Sequence, residues 1–313
     1  MKAIVTGGAG FIGSHIAEAL IREKHEVIVI DNLETGSKDN LPKGTKFYNV
    51  DVEDFEKINE IFNKEKPDVV FHLAAQINVR SSIENPMNDA EVNMIGAISV
   101  LEAMSRNEVK KIIFSSSAAV YGDPVFLPVS ESHPLNPKSP YGLSKAGAEE
   151  YIKWYEKNKG IEYVILRYAN VYGPRQGAKG EAGVIFLFAN LLLQKKTPTI
   201  FGDGKQTRDF VFVDDVVSAN LCALNILKNK GNKYKSKIFN IGTSTEITIN
   251  ELYEKLAWVI GFNPKPKNSE AVDGDIKKMV YDISLSQREL NWKPKVSLEK
   301  GLKSVVESIR AKK

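Results

Sequence analysis

The chain has 313 residues, 42% of them hydrophobic, with a formal net charge of +4 and a single cysteine, Cys222. One cysteine excludes an internal disulfide, and no apolar run approaches the ~18 residues that a membrane-spanning helix needs. The lysines lie dispersed among nearly as many acids, without an aromatic–basic stripe, which argues against a nucleic-acid partner. The first strand starts within three residues of Met1, so no leader is expected and a cytoplasmic setting suits the lone thiol.

The first half alternates short apolar strands with helical periodicity. "KAIVTG" (2–7) reads as a strand, 11–24 as a helix, and "EVIVID" (26–31) as a second strand before a polar loop. "TKFYNVD" (45–51) precedes a helix over 54–65, and "DVVFHLAA" (68–75) a helix over 87–107. "KKIIFSSS" (110–117), a helix over 140–159 and "EYVILRY" (162–168) complete the series. This order predicts an α/β fold, a doubly wound parallel Rossmann-type sheet covered on both faces. After Asn170 the rhythm loosens. "GPRQGAKGEAG" (173–183) reads as a loop, and "PTIFGDGKQTRDFVFVDDVV" (198–217) as two strand-like runs around a Gly-rich turn. The last 75 residues carry short helical pieces and the Pro-spaced "GFNPKPKNSEAVDGD".

Four glycines stand in seven residues of "VTGGAGFIGSH" (5–15), directly after the first strand. Gly7, Gly10 and Gly13 allow a tight turn, bare backbone and close helix–strand packing, so the helix start suits a pyrophosphate. Asp31 closes the next strand, where a carboxylate accepts from both ribose hydroxyls and repels a 2′-phosphate, which favours NAD over NADP. Asp51 could meet the adenine amino group by the same logic, with Val52 against the ring. The expected division is a dinucleotide-binding domain over 1–169 plus about 203–236, and a smaller C-terminal substrate-binding lobe over about 170–202 plus 237–313.

Tyr141 and Lys145 lie four apart just after Pro140, a residue that favours a first helical turn, and so share one face. An ammonium beside a phenol stabilises the phenolate and turns a weak base into a usable one. Ser117 closes a strand, where it can bond the same substrate oxygen. The spacing alone arises about once by chance in such a chain. Tyr155 with Lys159 is such a decoy, read as a solvated surface pair. Tyr121 is placed either in the wall of a sugar pocket or in the core. The four histidines (His15, His25, His72 and His133) show no ligand spacing, so no metal is expected, and His72 reads as strand-end packing.

These residues, with "DNLETGS", "FHLAAQ", "SSSAAVYGD", "SPYGLSKAGAE", "LRYANVYGPRQ" and "YDISLSQRELNW", resemble the extended short-chain dehydrogenase/reductases over nearly the whole chain. Within them the chain is similar to the nucleotide-sugar 4-epimerases of the UDP-glucose 4-epimerase kind. The resemblance implies Ser117, Tyr141 and Lys145 as the catalytic trio. It places Phe11, Ile12, Asp31, Asn32, Asp51, Val52, Ala74 and Asn93 around NAD, with Lys145 also on the nicotinamide ribose. It puts Asn170 and Arg208 on a UDP-sugar, Arg208 at the diphosphate. It implies reversible oxidation at C4, with Tyr141 moving the hydroxyl proton, and a homodimer through helices 87–107 and 140–159.

Dehydratases and decarboxylating relatives place acids just after the serine, where this chain has Ala118 and Ala119, neither able to transfer a proton. Another nucleotide-sugar oxidoreductase of the extended family stays open. So does an idle NAD- or nucleic-acid-binding relative, against which the intact trio stands. Three positions depart from the family pattern. Val272, followed by Asp273, replaces an arginine, so that one diphosphate contact is either missing or supplied by Lys277 or Lys278. Met279 replaces a bulky tyrosine beside the C2 substituent, which predicts tolerance of N-acetylated sugars. Ile77 replaces a lysine.

Overall fold

The computed structural model describes residues 1–177, 183–229, 236–270 and 276–311. β1 (Lys2–Thr6) runs through the glycine turn into α1 (Phe11–Arg22), which buries Ile16, Ala17 and Leu20. β2 (Glu26–Ile30) and β3 (Lys46–Tyr48) lead to α2 (Phe55–Glu65), capped by Asp54 accepting from Lys57 N, and to β4 (Val69–His72). α3 (Val79–Glu84) and α4 (Pro86–Ala90) start at Asn78 and Asn85, whose side chains accept from Ser81 N and Asn88 N. α4 continues through a π turn, Glu91–Ile95, into α5 (Gly96–Arg106). The helix predicted over 87–107 thus carries a bulge, and Asn93 lies buried inside it. β5 (Lys111–Ser117), α6 (Pro140–Lys159) and β6 (Glu162–Tyr168) end the first half.

The second half brings β7 (Asn170–Tyr172), α7 (Val184–Leu193), β8 (Thr199–Phe201), β9 (Thr207–Arg208) and β10 (Phe210–Phe212). The strand-like run 208–217 is a strand only to Phe212. There the chain turns into α8 (Val213–Lys228), with Asp214 and Asp215 in its first turn, where the helix dipole favours acids. β11 (Ile238–Ile241), β12 (Ile247–Thr248), α9 (Ile249–Ile260), β13 (Lys267–Ser269), α10 (Ser284–Glu289) and α11 (Leu298–Arg310) follow.

The main sheet is all-parallel in the order β3-β2-β1-β4-β5-β6-β11. Beyond their first residues β1 and β2 are buried throughout, as a sheet covered on both faces requires. One core holds α1, α8 and one sheet face; another holds α2, α5, α6 and the other face. A third gathers α7, α9 and α11 around Tyr172, Phe210 and Phe212. β11 corrects the expected boundary at 236: Ile238 to Ile241 pair with Ile165 to Tyr168 of β6 and extend the main sheet. Its Phe239 and Ile241 are fully buried, so this strand belongs with the main sheet. β1 and β4 are neighbours from which the chain winds in opposite directions, so a crevice opens at their carboxyl ends.

Candidate active site

The glycine turn is closed by sterics. Gly7 takes φ +68°, and a Cβ there would stand 2.7 Å from Ala74 N, so the loop after β4 abuts the turn. A Cβ on Gly13 would come within 2.2 Å of Gly7 O. Gly10 caps α1 without a side-chain hydrogen bond, which leaves the helix start bare for an anion, with Phe11 and Ile12 in its first turn. Phe11 packs edge-on against His15 and Ile12 against the main core.

Asp31 follows β2 and is buried. Its Oδ2 accepts from Ala9 N at 2.9 Å and its Oδ1 from Leu33 N at 2.8 Å. Burial pushes its carboxyl up, against the backbone donors that favour the anion. Asn32 is exposed and donates to Asp51 Oδ1 at 2.6 Å. β3 ends at Tyr48, so Asp51 lies in the turn beyond the strand rather than closing it. Val52 is buried against Gly96 of α5. These residues follow the ends of β1, β2, β3 and β4, and the uncapped start of α1 with the buried Asp31 carboxylate close by fits a dinucleotide.

Ser117 ends β5 and accepts from Ala119 N at 3.2 Å. α6 begins as its sequence suggests, with Ser139 Oγ accepting from Gly142 N at 3.2 Å and Pro140 in the first turn. A Cβ on Gly142 would stand 2.5 Å from Ala119 O. The small residues Ala118, Ala119 and Gly142 therefore let the turn carrying half-buried Tyr141 press against the loop of Ser117. Lys145, one turn on, donates to Ser115 O at 3.0 Å and sits 4.9 Å from the Phe114 ring centroid. Burial pushes its ammonium down to about 8. Phe114 stacks on His72 at 5.7 Å, and His72 bonds Thr6 Oγ1 at 2.7 Å, directly before the glycine turn. Three contacts thus join Lys145 to that turn.

Asn170 lies two residues beyond Tyr168, the register partner of Ser117, and its N donates to Asp209 O at 3.0 Å. Arg208 is half-buried and donates to Thr207 O and Ile276 O. Asp209 braces this segment, accepting from Thr243 N, Thr243 Oγ1, Ser244 N and Tyr281 N. Val272 and Asp273 lie outside the described residues. Lys277 and Lys278 are exposed, Ile77 is exposed, and Met279 is buried in the main core.

Asn93 is buried with its amide engaged: it donates to Gln76 O, Asp89 Oδ1 and Ser144 Oγ and accepts from Gln76 N. It ties the loop after β4 to α6. Tyr121 proves to be core, its hydroxyl donating to Asn240 and accepting from Arg167. Tyr155 is corrected as well. It is 6% exposed and donates to Glu102 Oε2 at 3.0 Å, because its face of α6 points into the core rather than to solvent.

The sequence reading missed the bidentate pair of Arg167 (2% exposed) and Glu149 (0% exposed), at 2.9 and 2.6 Å. Ser116 Oγ also donates to Glu149, so the pair clamps α6 to β5 and β6. Breaking such a pair leaves a bare buried charge and costs about 3–5 kcal/mol. An arginine inside the apolar run "EYVILRY" was the available signal. Among the described residues no cluster of three His, Cys, Asp or Glu side chains is gathered for a metal, and no helix is long and apolar enough to cross a membrane.

The NAD dependent epimerase/dehydratase family model matches residues 3–242. The chain is 49% identical over 304 residues to a putative UDP-glucose 4-epimerase of Methanocaldococcus jannaschii, covering 97% of this chain and 96% of the relative. It is similar to the crystal structure of Thermotoga maritima UDP-glucose 4-epimerase with UDP-glucose, at TM-score 0.95 and 43% identity over 100% of this chain and 99% of that one. The UDP-N-acetylglucosamine 4-epimerase of Methanobrevibacter ruminantium, in complex with UDP-N-acetylmuramic acid, gives a TM-score of 0.92 and 34% identity over 100% and 99%.

Proposed function

Because the chain belongs to the NAD dependent epimerase/dehydratase family, we propose that it inverts C4 of a UDP-hexose, of the glucose/galactose type and its N-acetylated forms. The observation that carries this reading is the chain of contacts from Lys145 through Phe114, His72 and Thr6 to the glycine turn, with the helical turn of Tyr141 and Gly142 packed against the loop that follows Ser117. NAD, when bound at Gly7, Gly10, Gly13 and Asp31, supplies a reversible hydride acceptor for C4. Tyr141 takes the proton of the C4 hydroxyl and returns it, Ser117 holds the same oxygen by a hydrogen bond, and Lys145 supplies the positive charge that favours phenolate. Asn170 and Arg208 would hold the sugar nucleotide. Ala118 and Ala119 leave no acid to eliminate water. A role in galactose metabolism in a reducing cytoplasm belongs to the same proposal.

The test is incubation with UDP-, dTDP- and GDP-sugars without added cofactor, reading C4 by NMR. UDP-glucose and UDP-N-acetylglucosamine are both expected to be inverted; glucose-type turnover alone would reject the N-acetyl part, and a stoichiometric demand for NADPH the whole. The homodimer has its own support. Met87 (74% exposed), Ile83 (62%), Leu143 (59%) and Trp154 (51%) lie on α3, α4 and α6, three helices in mutual contact. Sedimentation is expected to give twice 34.8 kDa, and Trp154→Glu to shift it toward the monomer; a monomeric parent protein would refute the dimer.

A further inference from the structure

Lys145 is 3% exposed, and among the described residues its ammonium meets a carbonyl, Ser115 O, and the Phe114 ring. Neither carries a full negative charge, so burial works against the protonated form. Two buried carboxylates oppose it: Asp89, on α4, and Glu149, one turn further along α6. Their surroundings differ. Glu149 is matched by the guanidinium of Arg167, which offsets its field. Asp89, 1% exposed, accepts among the described residues from neutral donors: Ser144 Oγ at 2.7 Å, Gln76 Nε2 at 2.8 Å and Asn93 Nδ2 at 3.1 Å.

Among the described residues the other titratable groups here are His72 on β4, Tyr141 on α6 and Tyr168 on β6, which bonds Ser115 and whose phenol burial pushes up to about 12. Burial, with the charge of Lys145, holds His72 down to about 3, so it stays neutral. Thr6 Oγ1 already accepts from Leu73 N and Ala74 N, so it donates to His72 Nδ1 and leaves the ring proton on Nε2. Among the described residues, Lys145 and Asp89 are thus the cation and the anion of one buried region that no adjacent ion pair neutralises.

We propose that Asp89 is a positioning residue for the reaction. Through Ser144 it fixes the turn of α6 that carries Lys145, and its carboxylate is the counter-charge that keeps the buried ammonium protonated at neutral pH. The inference rests on the reading of the site given above. Sequence spacing does not reveal it, since Asp89 and Ser144 are 55 residues apart.

Two variants separate tether from charge: Asp89→Asn removes the charge, and Ser144→Ala removes the tether. With the protein labelled on lysine ε-carbons, the Lys145 resonance is identified by its loss in Lys145→Arg and titrated in each variant. In Asp89→Asn it is expected to titrate lower by about one pH unit or more, since removing an anion disfavours the ammonium. The alkaline fall of kcat for C4 inversion should move down with it. Ser144→Ala should keep both midpoints and lose about tenfold in kcat. Unmoved midpoints in folded Asp89→Asn overturn the charge role, and a wild-type kcat in Ser144→Ala overturns the tether. A Lys145 midpoint below about 7 in the unaltered protein overturns the proposal even where Asp89→Asn fails to fold. Should the parent protein invert no nucleotide sugar, the reading of the site fails, while the lysine titration still decides on Asp89.

Discussion

Tyr141→Phe is expected to lower kcat for C4 inversion by about 10²–10⁴-fold, the range for loss of a positioned acid–base group, while the purified protein keeps its NAD. Phenylalanine retains the ring and the helix, whose start is fixed by Ser139 and Pro140 rather than by the phenol. Loss of a hydroxyl contact costs on the order of 1 kcal/mol of stability, so the variant should fold. Ser117 cannot replace the phenol, because a hydroxyl without an adjacent base does not hold a proton's worth of negative charge at neutral pH. Kinetics and NAD content, measured on one preparation, check this; an unchanged kcat would remove Tyr141 from the reaction.

Gly13→Ala is expected to yield protein without bound NAD and with a lowered Tm. The added carbon would meet Gly7 O at 2.2 Å, Gly7 C at 2.8 Å and Gly8 Cα at 2.9 Å, all of them backbone. Nothing there can rotate away, so the turn itself must open, and overpacking of this kind costs about 1–3 kcal/mol or more. Gly44→Ala is the control. It stands at φ +86° with no atom within 4 Å of its added Cβ, so it suffers strain of about 1 kcal/mol but should keep NAD. Equal NAD content in both variants would mean that the cofactor does not sit on this turn.

The readable parts of the sequence were those whose geometry is local. The glycine spacing, Asp31 at a strand end, and Tyr141 with Lys145 after Pro140 each depend on a few consecutive residues and one period. What escaped depends on partners far along the chain. β11 joins β6 across some seventy residues, and a four-residue strand does not announce its partner. Tyr155 with Lys159 imitates a surface pair until Glu102, from another helix, shows which way that face points. Asn93 is drawn inward by a π turn, which strict 3.6-residue periodicity does not foresee. The Glu149–Arg167 clamp and the Asp89–Ser144 tether exist only once α4, α6 and β6 are packed together.

On the proposed function, a phenol and an ammonium one helical turn apart serve oxidation and re-reduction of a single carbon in a site that keeps its cofactor. UDP-glucose deuterated at C4, incubated in ordinary water with no added NAD, tests it most directly. The expected product is UDP-galactose that retains deuterium at C4. Deuterium lost to water, or conversion only in proportion to cofactor supplied from outside, would contradict it.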